Sequence, residues 1–297
     1  MSREARSTFQ TIRDLLRYGV SRLTEAGAYF GHGSGNAYDE AAYLILHTLK
    51  LPLDLLEPFL DARLTESEIN SVIEILERRA KLKLPAAYLT QEAWLGEHKF
   101  YVDDRVIVPR SFIAELLPAQ LAPWVESPAK VNRILDMCTG SGCLAILLAL
   151  AFPDAEVDAV DVSPDALQVA ARNVEDYGLK HRVNLIESNL FEKIEATRYD
   201  LIISNPPYVD QASMLKLPKE YRQEPELALA GGVDGLDIVR KLLRQSRSQL
   251  ARGGKLVIEL GHNRAALEAA YPEMPFTWLS VSGGDDLVFL INQDQLA

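Results

Sequence analysis

The chain has 297 residues, 48% hydrophobic and 25% charged, with a formal net charge of −11 and a pI near 5.0. That length predicts about two domains with ample core. The acidic balance argues against tight non-specific nucleic-acid binding, which needs neutralised phosphates, and favours a basic partner steered to an acidic surface. The opening residues hold no apolar signal segment, and "CLAILLALAF" is too short to span a membrane, so a cytoplasmic protein is expected.

Residues 1 to about 90 read as helical by periodicity. "STFQTIRDLLRYGVSRLTEAG" carries Ser7 as a candidate N-cap and stops at Gly27. "AYDEAAYLILHTLKL" sets Ala42, Leu44, Ile45, Leu46 and Leu49 on one apolar face before Pro52. "TESEINSVIEILERRAKLK" opens with the capping-box spacing of Thr65 and Glu68, and Ile69, Val72, Ile73 and Leu76 follow at helical period. No cluster of catalytic residue types lies here, so this segment predicts a recognition or scaffold module. Residues 92–108 alternate between apolar and polar and contain Asp103-Asp104 as a turn candidate, which predicts a β-hairpin joining the halves, with a helix starting at Pro109.

From about residue 131 strands and helices alternate: "VNRILDM", "GCLAILLALAF", "EVDAVDV", then "SPDALQVAARNVEDYG" with Ser163 as N-cap, Pro164 first and Gly178 beyond its end. "RVNLIES" and "YDLIIS" follow as strands, then a helix ending at Gly253-Gly254, the strand "KLVIEL", a short helix, and two strands joined by Gly283-Gly284. Such alternation predicts an α/β fold with a mostly parallel sheet covered on both faces. So short a final connection makes the last pair antiparallel. The two cysteines, Cys138 and Cys143, match neither redox nor zinc spacing and suit packing, and the five histidines stand singly, so no metal is expected.

The chemistry gathers at predicted strand ends. "LDMCTGSGCLA" places Asp136 before Gly140 and Gly142, a glycine turn between strand and helix that lets the backbone approach a ligand. Cys138 occupies the first glycine of the dinucleotide fingerprint, a departure that suits S-adenosylmethionine, which has no phosphate to cradle. Asp161, about 20 residues past the loop, has the spacing of a ribose acceptor. Asn189 and Leu190 end the third strand and could lie along an adenine. In "YDLIISNPPYVD", Pro206 and Pro207 have no N–H and cannot continue a ladder, so the strand stops at Asn205 in a rigid, acceptor-rich stretch. All four strand ends should face one crevice.

On "PAAYLTQEAWLGEHKFYVDDRVIVPRSFIAELL", "NPPY" and "YRQEPELALAGGVDGL", nearly the whole chain resembles the HemK/PrmC-like protein glutamine methyltransferases, a class I S-adenosylmethionine-dependent family. "VPRSFIAEL" is closer to the branch acting on large-subunit ribosomal protein L three than to the IPRPxTE of enzymes acting on peptide release factors. The resemblance implies a Rossmann-like seven-stranded sheet with an antiparallel last strand, a helical substrate-recognition domain over 1–90, a hairpin linker over 91–124 and a methyltransferase domain over 125–297. It implies S-adenosylmethionine contacts from Asp136, Thr139, Gly140, Ser141, Gly142, Asp161, Asn189, Leu190 and Asn205, and no metal. Asn205 and the carbonyl of Pro206 would accept from the glutamine amide, Tyr208 would pack on its plane, and Pro207 would complete the substrate wall. Phe112 replaces the usual proline and Asn189 a common aspartate. NPPY is also used by nucleobase amino-methyltransferases, which the acidic balance opposes, and a non-catalytic assembly factor is a third reading, which the intact Asn205 and Asp161 oppose.

Overall fold

The computed structural model describes residues 8–194 and 198–296, so the predicted Ser7 cap lies outside the described residues. The chain divides into two compact units, one of Met1–Ala93 with Leu217–Gln223, the other of Trp94–Lys216 with Glu224–Ala297.

The first unit is helical. α1 (Ile12–Glu25) begins at Thr11, whose hydroxyl accepts from the Asp14 N–H while the Asp14 carboxylate accepts from the Thr11 N–H. α2 (Ala37–Thr48) is capped by Asn36, and α3 (Glu66–Leu82) opens with the expected Thr65–Glu68 box. α4 (Ala86–Thr90) is one short turn. The apolar stripes bury together: Leu15, Leu44, Ile45, Val72 and Leu76 have no exposed surface. A side chain at Gly19 would sit 3.1 Å from Ala41 and Leu76, so this glycine lets α1 close on α2 and α3.

One charge cluster in this unit is buried. Arg79 Nε donates to Glu40 at 2.6 Å, its Nη1 to Glu220 at 3.0 Å and its Nη2 to the Tyr29 carbonyl at 2.8 Å. The three side chains are no more than 2% exposed. Burial raises the Glu40 carboxyl above its ordinary value, opposed by Arg79. Against burial, the Tyr29 N–H and Arg79 hold Glu220 below its ordinary value. Glu220 comes from the Leu217–Gln223 segment, far along the chain from the helices it joins.

In the second unit β1 (Glu92–Leu95) and β2 (His98–Tyr101) form the hairpin, whose first strand spans the unit boundary. It turns at Gly96-Glu97, where Gly96 takes φ +61°, rather than at Asp103-Asp104. Asp103-Asp104 opens a separate turn, closed by the Val106 N–H on the Asp103 carbonyl at 3.2 Å, and the Asp103 carboxylate accepts from Arg105 and the Tyr101 hydroxyl. No helix starts at Pro109. A 3-10 turn, Phe112–Leu116, starts after Ser111, whose hydroxyl caps the Ile113 N–H.

The sheet is built from β3 (Arg133–Met137), β4 (Glu156–Asp161), β5 (Val183–Glu187), β6 (Tyr199–Ser204), β7 (Leu250–Glu259), β8 (Thr277–Val281) and β9 (Gly284–Asn292). Their order is β5-β4-β3-β6-β7-β9-β8, with β9 antiparallel to both neighbours and the other neighbouring pairs parallel. Ser282 and Gly283 join the last two strands, one residue earlier than the sequence suggested. Alternate side chains feed two cores. Ile134, Leu201 and Ile203 pack with α5 (Cys143–Ala151) and α6 (Pro164–Asp176). Leu135, Met137 and Ile202 pack on the face shared with α8 (Asp237–Gln249) and α9 (Arg264–Ala270), while α7 (Gln211–Met214) is a single turn. α8 ends at Gln249, and β7 runs through Gly253-Gly254, where the sequence predicted the helix to stop. No helix among the described residues is long and apolar enough to cross a membrane.

Removing the cation of a buried triad strands two carboxylates, which typically costs about 3–5 kcal/mol. Arg79→Ala should therefore lower stability on that scale in chemical denaturation. A change under about 1 kcal/mol would show that the triad is solvated.

Candidate active site

Pairing register brings the carboxyl ends of the central strands level. Met137 lies beside Val160 on one side and Ser204 on the other, and Asp161 beside Glu187. Beyond these ends opens a cavity of about 260 Å³. Of the predicted residues, Thr139, Gly140, Ser141, Asp161, Asn189, Leu190, Asn205 and Pro207 line it. Asp136, Gly142, Pro206 and Tyr208 are outside that lining.

The glycine turn is tightly specified. Cys138, Gly140 and Gly142 have φ values of +63°, +54° and +79°. A glycine is usual at the first position because side chains rarely adopt this conformation, yet Cys138 adopts it. Gly142 packs against α6, since a Cβ there would lie 3.1 Å from that of Ala170. Asp136 lies fully buried behind the turn. Its Oδ2 accepts from the Thr139 hydroxyl at 2.5 Å, while Oδ1 has no hydrogen-bond partner among the described residues. Burial pushes its carboxyl up to about 7. Asp161 accepts from the Gly140 N–H at 2.8 Å and the Ser163 N–H at 2.9 Å, which oppose the upward shift that burial causes. Asn189 donates its amide N–H to Glu192 at 2.7 Å, turning its carbonyl oxygen the other way. An aspartate here would face Glu192 with a like charge.

Asn205 donates Nδ2–H to the Arg110 carbonyl at 3.2 Å, which leaves Oδ1 as its acceptor end. Arg110 is itself fixed by a two-pronged pair with the fully buried Glu224, both contacts 2.6 Å, and Glu224 also accepts from the Val108 N–H. The "VPRS" segment and the "QEPEL" segment thus meet beside Asn205, a pairing that local sequence patterns do not reveal.

Tyr208, expected to pack on the substrate amide, sits at the centre of a close-packed knot. A Cβ on Gly231 would fall 2.7 Å from its Cα, and one on Gly261 would fall 2.7 Å from its ring. Asn263 donates to its carbonyl at 2.7 Å. Its hydroxyl lies 3.5 Å from Glu259, a buried carboxylate that accepts from the Ser111 hydroxyl at 2.7 Å and the Phe112 N–H at 2.8 Å. A proline at 112 would lack that donor. Sequence reasoning missed Gly231, Glu259, Gly261 and Asn263. The usable signal was glycine in "LAGGVDGL" and "ELGHN", at ends of elements where a ring must pass close to backbone.

Two predictions follow from this geometry. Gly261→Ala should displace the Tyr208 ring and lower turnover at least about 10-fold, because misplacement near the chemistry is costly, with ligand affinity in the cavity held within about 3-fold. Calorimetry and turnover measured together check this; unchanged turnover would remove the knot from catalysis. The second concerns Asp136, whose ordinary value is 3.8. Its raised folded value means the folded chain holds the proton more tightly, so the stability it contributes is present at low pH and lost as pH rises toward about 7. Asp136→Asn should therefore raise the melting temperature of the ligand-free protein more at pH 8 than at pH 5. Equal effects at both would contradict the shift.

Comparison with known proteins gives the family. Residues 114–220 match the methyltransferase small domain. The chain is 60% identical over 296 residues to the ribosomal protein uL3 glutamine methyltransferase of Neisseria meningitidis serogroup B, covering 100% of this chain and 97% of that protein. It is 58% identical to the same-named protein of Bordetella pertussis, covering 100% and 99%. Among solved structures, the hMettl16 catalytic domain in complex with MAT2A 3′UTR hairpin 1 is similar at TM-score 0.50 and 17% identity, over 84% of this chain and 89% of that one. At that identity the likeness extends to fold alone.

Proposed function

This chain belongs to the family of ribosomal protein uL3 glutamine methyltransferases, and on that footing we propose that it methylates the side-chain amide nitrogen of a glutamine in uL3, large-subunit ribosomal protein L three. S-adenosylmethionine, when bound, supplies an electrophilic sulfonium methyl group. The observation that carries the residue assignment is the hydrogen bond from Asn205 to the Arg110 carbonyl, because it leaves an acceptor and not a donor at the end of β6.

The cavity residues fit that cofactor. Asp136, buried behind the turn, fixes the Thr139 hydroxyl, and the Thr139–Ser141 turn so held lines the cavity where the cofactor's amino-acid end would lie. Asp161 keeps lone pairs beyond its two backbone bonds for ribose hydroxyls. Asn189 has its carbonyl oxygen available for the adenine amino group, and Leu190 gives an apolar wall. An amide nitrogen is a poor nucleophile because its lone pair is shared with the carbonyl. Asn205 Oδ1 and the Pro206 carbonyl, accepting its two N–H groups, fix the nitrogen's direction, and such positioning alone can remove several kcal/mol of barrier. Pro207 and Tyr208 keep this loop rigid, with Tyr208 packed from behind. The helical unit is free of catalytic clusters and is the natural reader of the substrate, a basic ribosomal protein drawn to an acidic chain. A ribosomal substrate supports a cytoplasmic site of action.

Asn205→Ala should retain most cofactor affinity and lose about 100-fold or more in turnover, the scale of one preorganised polar group. Asp161→Ala should instead weaken cofactor binding by about 1.5–3 kcal/mol, as expected for a bond to a charged acceptor. Radiolabelled cofactor offered with purified uL3, a peptide release factor and DNA tests the substrate directly. Label on uL3 is expected; label on the release factor alone would move the chain to the other branch, and label on DNA alone would overturn protein methylation.

A further inference from the structure

At the opposite end of the sheet, Arg198, Arg244, Arg247 and Arg252 line one open depression, with no acidic residue among its described lining. All four are exposed. Arg198 immediately precedes β6, Arg252 lies near the start of β7, and Arg244 and Arg247 occupy the last turns of α8. These are the amino ends of neighbouring parallel strands, and the carboxyl end of β6 leads into the cavity. β6 spans six residues, which puts about 20 Å of sheet between the two sites.

The arginines of this chain are otherwise mostly committed. Nine described arginines pair with a carboxylate. Arg17 lies over the Phe9 ring, and Arg182 and Arg222 donate to backbone carbonyls. Six described arginines lack any such contact, and four of those six surround this depression. Four like charges gathered on a chain of net charge −11 repel one another unless an anion lies among them. The negative end of the α8 dipole accounts for Arg247 at most, because that effect fades within a turn. Arg198 and Arg252 lie on other elements and gain nothing from it.

We propose that this depression holds the phosphate backbone of RNA, a choice that rests on the ribosomal substrate assigned above. Guanidinium forks match phosphate oxygens two at a time and are only weakly hydrated, so several on one concave surface suit a chain of phosphates. The depression offers no exposed large hydrophobic side chain, which a membrane surface would need for insertion. Contacts confined to the backbone do not read base sequence. The chain thereby engages its ribosomal-protein substrate when RNA is already bound to it, with RNA held at one end of the sheet and the glutamine at the other.

The test uses the full chain and a fluorescein-labelled ribosomal RNA fragment, followed by anisotropy between 50 and 200 mM salt. A variant carrying Arg198→Glu, Arg244→Glu, Arg247→Glu and Arg252→Glu is compared with wild type, and circular dichroism checks its fold. A second variant with glutamine at the four positions covers any failure of the first to fold. Expected are salt-sensitive wild-type binding, at least about 10-fold weaker binding by the variants, and a log–log salt slope flattened by up to about 3. Methylation of isolated uL3 should be unchanged, and methylation of RNA-bound uL3 should fall. Equal RNA binding by variant and wild type, no wild-type binding at 50 mM salt, or binding to phosphatidylglycerol vesicles in place of RNA would each overturn the proposal. Failure of wild type to methylate uL3 either isolated or RNA-bound would instead strike the substrate assignment, which the anisotropy does not touch.

Discussion

The hydrogen bond from Asn205 to the Arg110 carbonyl sets the polarity of the candidate site. An asparagine side chain can present either a donor or an acceptor, and at the end of a buried strand nothing intrinsic decides which. Here a backbone carbonyl takes the donor end. That carbonyl is fixed because the Arg110 guanidinium is clasped by a buried carboxylate that also ties down Val108. The acceptor clamp in the proposed mechanism therefore depends on Glu224, a residue with no direct part in it. The two prolines after Asn205 complete the effect, since neither can donate and neither can swing.

The same economy appears around Tyr208. Glycine at 231 lets its backbone, and glycine at 261 its ring, pack closer than a Cβ would allow, and Asn263 holds its carbonyl. Glu259 joins this knot to Ser111 and Phe112, so the start of the 3-10 turn and the NPPY stretch share one buried carboxylate. Burial raises the Glu259 carboxyl above its ordinary value, while the Ser111 hydroxyl and the Phe112 N–H offset that rise. Phe112, where the family pattern has proline, contributes a donor to this site that proline lacks.

How much of this could be read from the chain follows from how local each signal is. The glycine turn, Asp161 and the NPPY stop are short motifs at strand ends, so spacing sufficed to bring them to one crevice. Capping boxes at Thr65–Glu68 and the Ser163 cap are local too, and the helices start there. Signals that failed were those settled by distant contacts. Gly253-Gly254 looked like a helix stop, but β7 needed those residues to pair with β6. The segment bearing Glu220 and Glu224 shows two glutamates four residues apart, and nothing local tells that one joins Arg79 in the helical unit and the other Arg110 in the sheet unit.

That segment makes the division of labour physical. Leu217–Gln223 leaves the sheet unit after the NPPY stretch, and Glu220 is buried among helical residues before Glu224 is buried beside Val108. Each glutamate is matched by an arginine on its own unit, so the chain cannot slip along itself without exposing a buried charge at both ends. A loop anchored this way is held in register at two points four residues apart. Between its anchors and the cavity lie Pro225, Leu227 and Ala228, which form part of the cavity wall. Within the sheet unit that stretch of wall follows directly on the buried Arg110–Glu224 pair, and its composition, apolar and short of donors, suits the amide of the proposed mechanism.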